Sequence, residues 1–446
     1  MNGWFGASAL VLTLALASDP GKRVLPCSIS NISIASAIKI EYHRRVQPST
    51  NSHLSTNTAE RQQPDGFIQR IHRQEQRVHI PIGATCNNRC LFCMEQNGDS
   101  RARINGAMTP ERVKWIVDAH SDAEELCFTS GEPTLHPELP NFVRMARDAG
   151  HRCVSIMTNG RRLGYAPYVE TLARAGLNRV YVSIHGPTAA VHDSLTRSPG
   201  SFSQTLRGIE NAVSIGSLEV HTSTVLSKRS IDTLLATYEL IIQAGVDQAV
   251  FNGLQVHGGA ATHFSSVVPR LRDIRIQFDK MVAGARDGGE RAFLVDVPPC
   301  VTEGIPDRNR GYMEKRVHYE AKVKGIEPLA TMRPKGVKEL QSIETRNLEA
   351  AFRVHGPKCR GCVYRAICAG VYEPYVRAYG WEEMVPVLGD GGRTIGEGVS
   401  LPRDLGGELG ESSVLDACQI RDKRLAPSTL LKNMVYWIKT LARSSK

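Results

Sequence analysis

The stretch GATCNNRCLFCMEQ, residues 83–96, decides how the rest of the chain is interpreted. It places Cys86, Cys90 and Cys93 in the spacing C-x3-C-x2-C, directly after the β-rich run RVHIPIG at residues 77–83. Three thiolates on one short loop can each bind one iron of a cubane [4Fe–4S] cluster, which leaves the fourth iron without a protein ligand. An open coordination position is what a catalytic metal site requires. A structural zinc site would need a fourth protein ligand, and no His or Cys follows this loop at zinc-finger spacing.

Strand-like and helix-like runs alternate from this loop onward. The predicted strands cover residues 77–83, 125–131, 152–160, 179–186, 218–226 and 248–256. The predicted helices cover residues 109–120, 136–150, 168–176, 201–216 and 231–245. This alternation is typical of a parallel sheet, so we expect an α/β fold, a partial (β/α)6 TIM-like barrel. In such barrels the chemistry lies in the loops after the carboxyl ends of the strands, where the cysteine loop also begins.

Three further motifs follow in order at the ends of the next three predicted strands. They are TSGEP at 129–133, TNG at 158–160 and VSIHG at 182–186. Each motif alone is common in turns and strands of unrelated proteins, whereas the ordered series behind C-x3-C-x2-C is specific. Together with the aromatic Phe92 before the last cysteine, the series resembles the signature of the radical S-adenosylmethionine (SAM) superfamily. The resemblance covers roughly residues 77–256.

The resemblance implies a catalytic [4Fe–4S] cluster on Cys86, Cys90 and Cys93 and SAM as the second cofactor. Reductive cleavage of SAM would give a 5′-deoxyadenosyl radical that abstracts hydrogen from a substrate. Ser130 stands where the family motif has its first glycine, and its backbone can still serve. For Arg197, two interpretations remain open: a contact with SAM, or a surface residue that caps the next helix. The SAM contacts implied by the resemblance are Phe92, Ser130, Gly131, Glu132, Thr158, Ser183 and Arg197.

A second cysteine cluster lies in KCRGCVYRAICAG, residues 358–370, with Cys300 upstream in DVPPC. It resembles part of the SPASM/Twitch C-terminal extension of radical SAM enzymes, although the C-x3-C step that completes the two-cluster pattern is missing after residue 368. The resemblance implies one auxiliary [4Fe–4S] cluster on Cys300, Cys359, Cys362 and Cys368. Cys418 as a ligand and a four-cysteine zinc site remain alternatives. The cysteines predicted to be spare are Cys27, Cys127 and Cys153.

The 446 residues divide into four predicted regions. Residues 1–74 are a disordered or linker-like arm, and residues 75–256 are the core barrel. Residues 257–385 are the smaller cluster-binding extension, and residues 386–446 are a Gly-rich linker with a C-terminal helix. No run approaches the ~20 apolar residues of a membrane-spanning helix.

The substrate is open at the level of sequence. The expected reaction is oxidative modification of a peptide or a small natural-product-type molecule, with an electron donor such as flavodoxin or ferredoxin. The net charge of +10 keeps an RNA-modifying enzyme open as an alternative, although no dense basic run predicts a nucleic-acid partner. A non-catalytic Fe–S redox or sensor protein is the other alternative. The tight cysteine spacings predict a reducing compartment, the cytoplasm. Catalytic acid–base residues are not assigned, and the candidate substrate contacts are His185, His257, Asn252, Glu95 and Gln96.

Overall fold

A parallel β-sheet organises the computed structural model of this protein. The structure describes residues 75–95, 105, 108–305, 308–309, 314–321, 330–332, 340–344, 352–365 and 367–388. The predicted N-terminal arm, residues 389–446 of the predicted C-terminal linker and helix, and the candidates Gln96, Cys27 and Cys418 lie outside these residues. No helix within the described ranges is long and apolar enough to cross a membrane.

Seven parallel strands lie side by side in chain order. They are β1 (Glu75–Pro81), β2 (Glu125–Thr129), β3 (Cys153–Thr158), β4 (Arg179–Ser183), β5 (Glu219–Val225), β6 (Gln248–Asn252) and β7 (Ala292–Val295). The α/β architecture with its parallel sheet is confirmed. The helices of the described chain are α1 (Pro110–Ala119), α2 (Leu139–Asp148), α3 (Ala166–Ala175), α4 (Ala189–Thr196), α5 (Ser201–Ser214), α6 (Leu234–Gln243), α7 (Gly259–Thr262), α8 (Phe264–Val267), α9 (Leu271–Gly284) and α10 (Glu373–Tyr379).

The two faces of the sheet differ because successive side chains of a strand point to opposite sides. One face is apolar and fully buried, with residues such as Val78, Ile80 and Phe128. On the other face, the Arg77 guanidinium on β1 donates to the Tyr181 hydroxyl on β4 over 2.5 Å. Three strand spacings would separate these residues by about 14 Å in a flat sheet. The sheet is therefore strongly curled, and its polar face is the concave one.

A buried ion network fills the concave face near the amino ends of the strands. The Glu125 carboxylate lies 3.0 Å from Arg77 Nε and 2.7 Å from Arg179 Nη1. The second nitrogen of Arg179 lies 2.7 Å from the Glu219 carboxylate. The Arg77 and Glu125 side chains are largely buried, so their opposite charges compensate one another away from water, whereas the Glu219 side chain is 43% exposed. The ion pairs lie at the amino end of the barrel, opposite the edge that carries the cysteine loop.

The sheet extends beyond the six predicted strands. Strand β7 pairs with β6, although it lies in residues 257–385, which were predicted to form the cluster-binding extension and not the barrel. The opposite edge, β1, pairs in parallel with β8 (Glu314–Ala321), which continues into β10 (Leu340–Glu344) and β9 (Ala330–Met332). The barrel is thus not closed by pairing of β7 with β1. A four-residue strand and a long-range pairing leave little local signal, which explains the difference.

The last described segment packs on the barrel near the start of α9. It contains the short pair β11 (Arg353–Val354) and β12 (Val371–Tyr372), followed by α10. The backbone N–H of Leu271 donates to the Tyr375 hydroxyl at 2.7 Å and to the Glu383 carboxylate at 3.1 Å. Arg270 also pairs with Glu383 at 2.9 Å. These contacts hold the second cysteine cluster against the core.

Candidate functional site

The first cysteine loop is anchored on both sides at the carboxyl edge of the sheet. Its backbone N–H groups at Arg89 and Leu91 donate to the last carbonyl oxygens of α4, both over 2.9 Å. The N–H of Gly259, at the start of α7, donates to the Cys93 carbonyl at 2.8 Å. The loop is therefore fixed at this edge by the segments that follow β4 and β6.

The three cysteines of this loop are half-buried, and Cys86 and Cys93 lie close enough to Cys90 to act on it electrostatically. Burial raises the pKa of the Cys90 thiol above its usual range, and the neighbouring Cys93 and Cys86 raise it further. Cys86 Sγ accepts the backbone N–H of Asn88 at 3.4 Å, and the Asn159 amide approaches it at 4.0 Å. In the described part of the chain, no three His, Cys, Asp or Glu side chains converge as ligands of a single ion. A cubane needs no such convergence, because each thiolate binds its own iron.

A tight turn follows β2 beside the cysteine loop. Ser130 and Gly131 adopt successive left-handed conformations, with φ of 71° and 52°. A Cβ on Gly131 would lie 2.3 Å from the Gly83 carbonyl oxygen, so the end of β1 passes directly over the turn. The turn thus requires glycine at 131 and holds serine at 130 in a conformation that glycine would adopt more readily.

Side-chain bonds hold this strained turn. The Ser130 hydroxyl donates to the Glu95 carboxylate, and the N–H of Gly131 donates to the same carboxylate at 2.8 Å. The buried Asn105 amide donates to Ser130 Oγ at 2.7 Å and to the Gly83 carbonyl at 2.8 Å. Glu95 is therefore placed at the turn that the family resemblance associates with SAM.

Glu132 is a buried junction between the ends of β2 and β3. Its side chain is only 1% exposed. Oε1 accepts hydrogen bonds from Thr134 (backbone N–H 3.1 Å, hydroxyl 2.6 Å) and from the Thr158 hydroxyl at 2.6 Å. Oε2 accepts the Asn159 backbone N–H at 2.7 Å. Burial raises the pKa of this carboxyl, and the four hydrogen bonds oppose that shift.

Asn159 connects this junction to the cysteine loop. Its amide donates to Asn87 Oδ1 at 2.6 Å, beside the contact with Cys86 Sγ. The neighbouring Arg161 also bonds the loop through the Asn87 carbonyl and Asn88 Oδ1, the latter at 3.0 Å. The predicted residue of this motif was Thr158, whose hydroxyl is bonded to Glu132. Asn159 was missed, although its amide and its place in the same TNG motif were visible in the sequence.

The ends of β4, β5 and β6 present a row of polar groups. Ser183 lies opposite Ser223 in the register of β4 and β5, and the Asn252 amide donates to Ser223 Oγ at 2.9 Å. His185, just after Ser183, is buried, and its pKa is well below the usual value because of burial and the nearby His192. The Phe92 ring of the cysteine loop meets the His185 ring edge-on at 4.9 Å.

Arg197 ends α4 in a left-handed conformation with φ of 52° and is exposed. Its carbonyl accepts a hydrogen bond from Arg89 of the cysteine loop at 3.2 Å. The residue thus caps the preceding helix α4, while its predicted contact with SAM stays a prediction.

The second set of four cysteines is brought together from two separate segments. Cys300 lies after β7, and the others lie between β11 and β12. Burial raises the pKa of Cys300 above its usual range, and its three cysteine neighbours, Cys368, Cys362 and Cys359, raise it further. The pKa of Cys368 rises to about 11, mainly through burial. The two other described cysteines, Cys127 and Cys153, lie on core strands near the ion network, as predicted for spare thiols.

Comparison with known proteins agrees with this geometry. Residues 80–241 match the Radical SAM superfamily. The AdoMet-dependent heme synthase of Methanosarcina barkeri is 33% identical over 167 residues, which is 37% of this chain and 46% of the relative. A probable GTP 3′,8-cyclase of Saccharolobus islandicus is 30% identical over 186 residues, 41% of this chain and 58% of the relative. The chain thus spans about half the length of the curated relatives that it matches.

This chain also matches solved structures from Streptococcus suis and Escherichia coli. Streptococcus suis SuiB bound to the precursor peptide SuiA is matched over 55% of this chain and 57% of that chain, with 15% identity and a TM-score of 0.39. Escherichia coli coproporphyrinogen III oxidase HemN is matched over 52% of this chain and 57% of that chain, with 16% identity and a TM-score of 0.36.

Proposed function

Because residues 80–241 form a Radical SAM superfamily domain, we propose that this protein is an enzyme that cleaves SAM reductively and abstracts hydrogen from a substrate. Members of this superfamily use a [4Fe–4S] cluster and SAM. The observation that carries the proposal is the cysteine loop at the carboxyl edge of the barrel, in which Cys86 and Cys93 lie close enough to the buried Cys90 to raise the pKa of its thiol. Cys86, Cys90 and Cys93 would hold the catalytic cluster. When bound, the cluster supplies one electron to the sulfonium of SAM.

The residues around the loop keep it in one arrangement. Asn159 and the N–H of Asn88 point hydrogen atoms toward Cys86 Sγ, and donors to a cluster sulfur stabilise its negative charge. Arg161 and the end of α4 fix the loop backbone. Preorganisation of this kind limits reorganisation when an electron enters the site.

SAM would lie across the strand ends beside the loop. The Ser130–Gly131 turn and the Glu95 carboxylate are placed to meet a cationic amino group, because a carboxylate attracts an ammonium where water is scarce. Ser183 and Phe92 lie along the same edge. Thr158 and Arg197 complete the proposed contacts, and Glu132 acts by holding the ends of β2 and β3. Once bound, SAM and the substrate would cover the open carboxyl edge of the sheet and exclude water from it.

The second cysteine set would hold one auxiliary [4Fe–4S] cluster. Supporting this, Cys359, Cys362 and Cys368 all lie close enough to the buried Cys300 to raise the pKa of its thiol. An auxiliary cluster that accepts an electron from the substrate radical would turn hydrogen abstraction into a net oxidation. A donor such as flavodoxin or ferredoxin would supply the electron that cleaves SAM, and the electron taken from the substrate radical would pass from the auxiliary cluster to an acceptor protein or back to the first cluster.

The substrate class proposed is a small molecule or a peptide. The names of the two curated relatives concern heme and GTP, which favours a small molecule.

The test is anaerobic reconstitution followed by incubation with dithionite and SAM. We expect about eight irons per chain and 5′-deoxyadenosine as product. The variant Cys86→Ala/Cys90→Ala/Cys93→Ala should lose the product, while Cys127→Ala, a matched change at a buried core cysteine, should keep it. Equal product from the triple variant and the wild type would contradict the proposal.

A further inference from the structure

A buried cation lies beside the second cysteine set, and we propose that Arg353 sets the reduction potential of the auxiliary cluster. This inference rests on the proposed function, because it assumes that Cys300, Cys359, Cys362 and Cys368 bind iron rather than zinc. Arg353 is a positioning residue in this account: its charge acts on the cluster through space. Nothing in the sequence motifs singled it out.

The position of the guanidinium is fixed by its neighbours. Arg353 is 4% exposed, and it lies opposite Tyr372 in the register of β11 and β12. The guanidinium carbon lies 4.3 Å from the centre of the Tyr372 ring, and one nitrogen lies 3.3 Å from the Tyr372 hydroxyl. A planar cation stacked on an aromatic face has little freedom to swing away.

Gly370 connects the cation to a cluster ligand. Arg353 Nη1 donates to the Gly370 carbonyl at 3.4 Å, and the Gly370 N–H donates to Cys368 Sγ at 3.3 Å. Gly370 has φ of 82°, and a Cβ there would lie 2.5 Å from the Val354 carbonyl oxygen. The glycine therefore lets the two short strands approach, which brings the charge of Arg353 near the thiolate.

The same cation is within reach of the barrel. A carboxylate oxygen of Asp296 lies 3.8 Å from Arg353 Nη2, and the Gln255 amide donates to that carboxylate at 3.1 Å. Asp296 directly follows β7 and has a left-handed backbone with φ of 60°. Strained non-glycine residues are concentrated at functional sites. The other two described ones, Ser130 and Arg197, lie at the proposed SAM site.

The electrostatic consequence has a defined sign. A cubane with four thiolates is anionic, and reduction adds one more negative charge in a site from which water is largely excluded. A buried cation stabilises the reduced form more than the oxidised form and raises the potential, whereas a carboxylate lowers it. Arg353 and Asp296 should therefore shift the potential in opposite directions.

The experiment isolates the second cluster in the full-length chain. Cys86→Ala/Cys90→Ala/Cys93→Ala removes the first cluster, and the remaining signal is titrated with redox mediators and followed by electron paramagnetic resonance (EPR). In that background we compare Arg353→Met, Arg353→Lys and Asp296→Asn. The control is Arg286→Met, which removes a guanidinium that is 92% exposed.

The expected result is a lower midpoint potential for Arg353→Met, a higher one for Asp296→Asn, and values near the parent for Arg353→Lys and Arg286→Met. Asp296→Asn keeps the inference testable if Arg353→Met does not fold. Iron at the site with unchanged midpoints in Arg353→Met and Asp296→Asn would overturn this inference alone. Zinc or no metal in the parent would overturn the auxiliary cluster and this inference together.

Discussion

Replacement of Glu132 by glutamine tests whether this residue holds the strand ends independently of any cofactor. Each carboxylate oxygen accepts a backbone N–H that cannot rotate away, from Thr134 on one side and from Asn159 on the other. In Glu132→Gln the amide NH2 must replace one of these oxygens. Whichever orientation it takes, it meets a fixed N–H, so one hydrogen bond is lost and two buried donors face each other.

The magnitude follows from these two groups. A buried donor without an acceptor costs about 1–3 kcal/mol, and two such donors arise at a position that is 1% exposed. We expect Glu132→Gln to lower the free energy of unfolding of the metal-free protein by about 2–6 kcal/mol. The control is Glu170→Gln, since Glu170 is 52% exposed in an i,i+4 pair on α3. Its effect should stay below about 0.5 kcal/mol.

The assay is urea unfolding followed by circular dichroism, under anaerobic conditions with a chelator and without SAM. A loss confined to Glu132→Gln supports the junction described above. If Glu132→Gln is as stable as Glu170→Gln without cofactor and differs only in SAM binding, the reasoning is refuted, because Glu132 would then act on the cofactor alone.

Three further predictions concern His192, Gly131 and Glu125. Burial lowers the pKa of His192 to about 4, so the unfolded chain binds the extra proton at mildly acidic pH and the native state loses stability as pH falls. His192→Asn should remove about 2 kcal/mol of the stability difference between pH 7 and pH 5, measured by urea unfolding; an unchanged difference would contradict it. Gly131→Ala places a Cβ 2.3 Å from a backbone oxygen, so this variant should lose the iron of the first cluster, measured as iron retained per chain. Gly150→Ala, whose Cβ would have no atom within 4 Å, should retain that iron. Glu125→Gln breaks the buried ion network and should cost about 3–5 kcal/mol in the same unfolding assay, against a negligible change in Glu170→Gln.

Local patterns were sufficient to predict the barrel. The six predicted strands and five predicted helices between residues 77 and 256 were located to within a few residues, because each strand is a short apolar run between turns and each helix has one apolar face. Helix α4, between β4 and α5, was not predicted. Strand β7 and the pairing of β1 with β8 were not predicted. Both depend on contacts between distant parts of the chain, which local periodicity does not encode.

The site was predictable where its residues belong to motifs. The cysteines of both sets and the Ser130–Gly131 turn were found from motif spacing and family resemblance, and their roles as cluster and SAM ligands stay predictions. The partners of that turn were not: Asn105 and the role of Glu95 follow from the fold, as does the contact of Asn159 with Cys86. Arg353 gave no signal, since a single arginine in a sequence does not show that it is buried.

The most direct test of the central claim is whether SAM binds at the cluster of the first cysteine loop. In the full-length variant Cys359→Ala/Cys362→Ala/Cys368→Ala, only Cys86, Cys90 and Cys93 remain as a cluster-binding set. The EPR spectrum of the reduced protein is recorded with and without SAM. We predict about four irons per chain and a spectrum that changes when SAM is added, because the fourth iron lacks a protein ligand. A cluster whose spectrum is indifferent to saturating SAM, or a variant that binds no iron, would contradict the account.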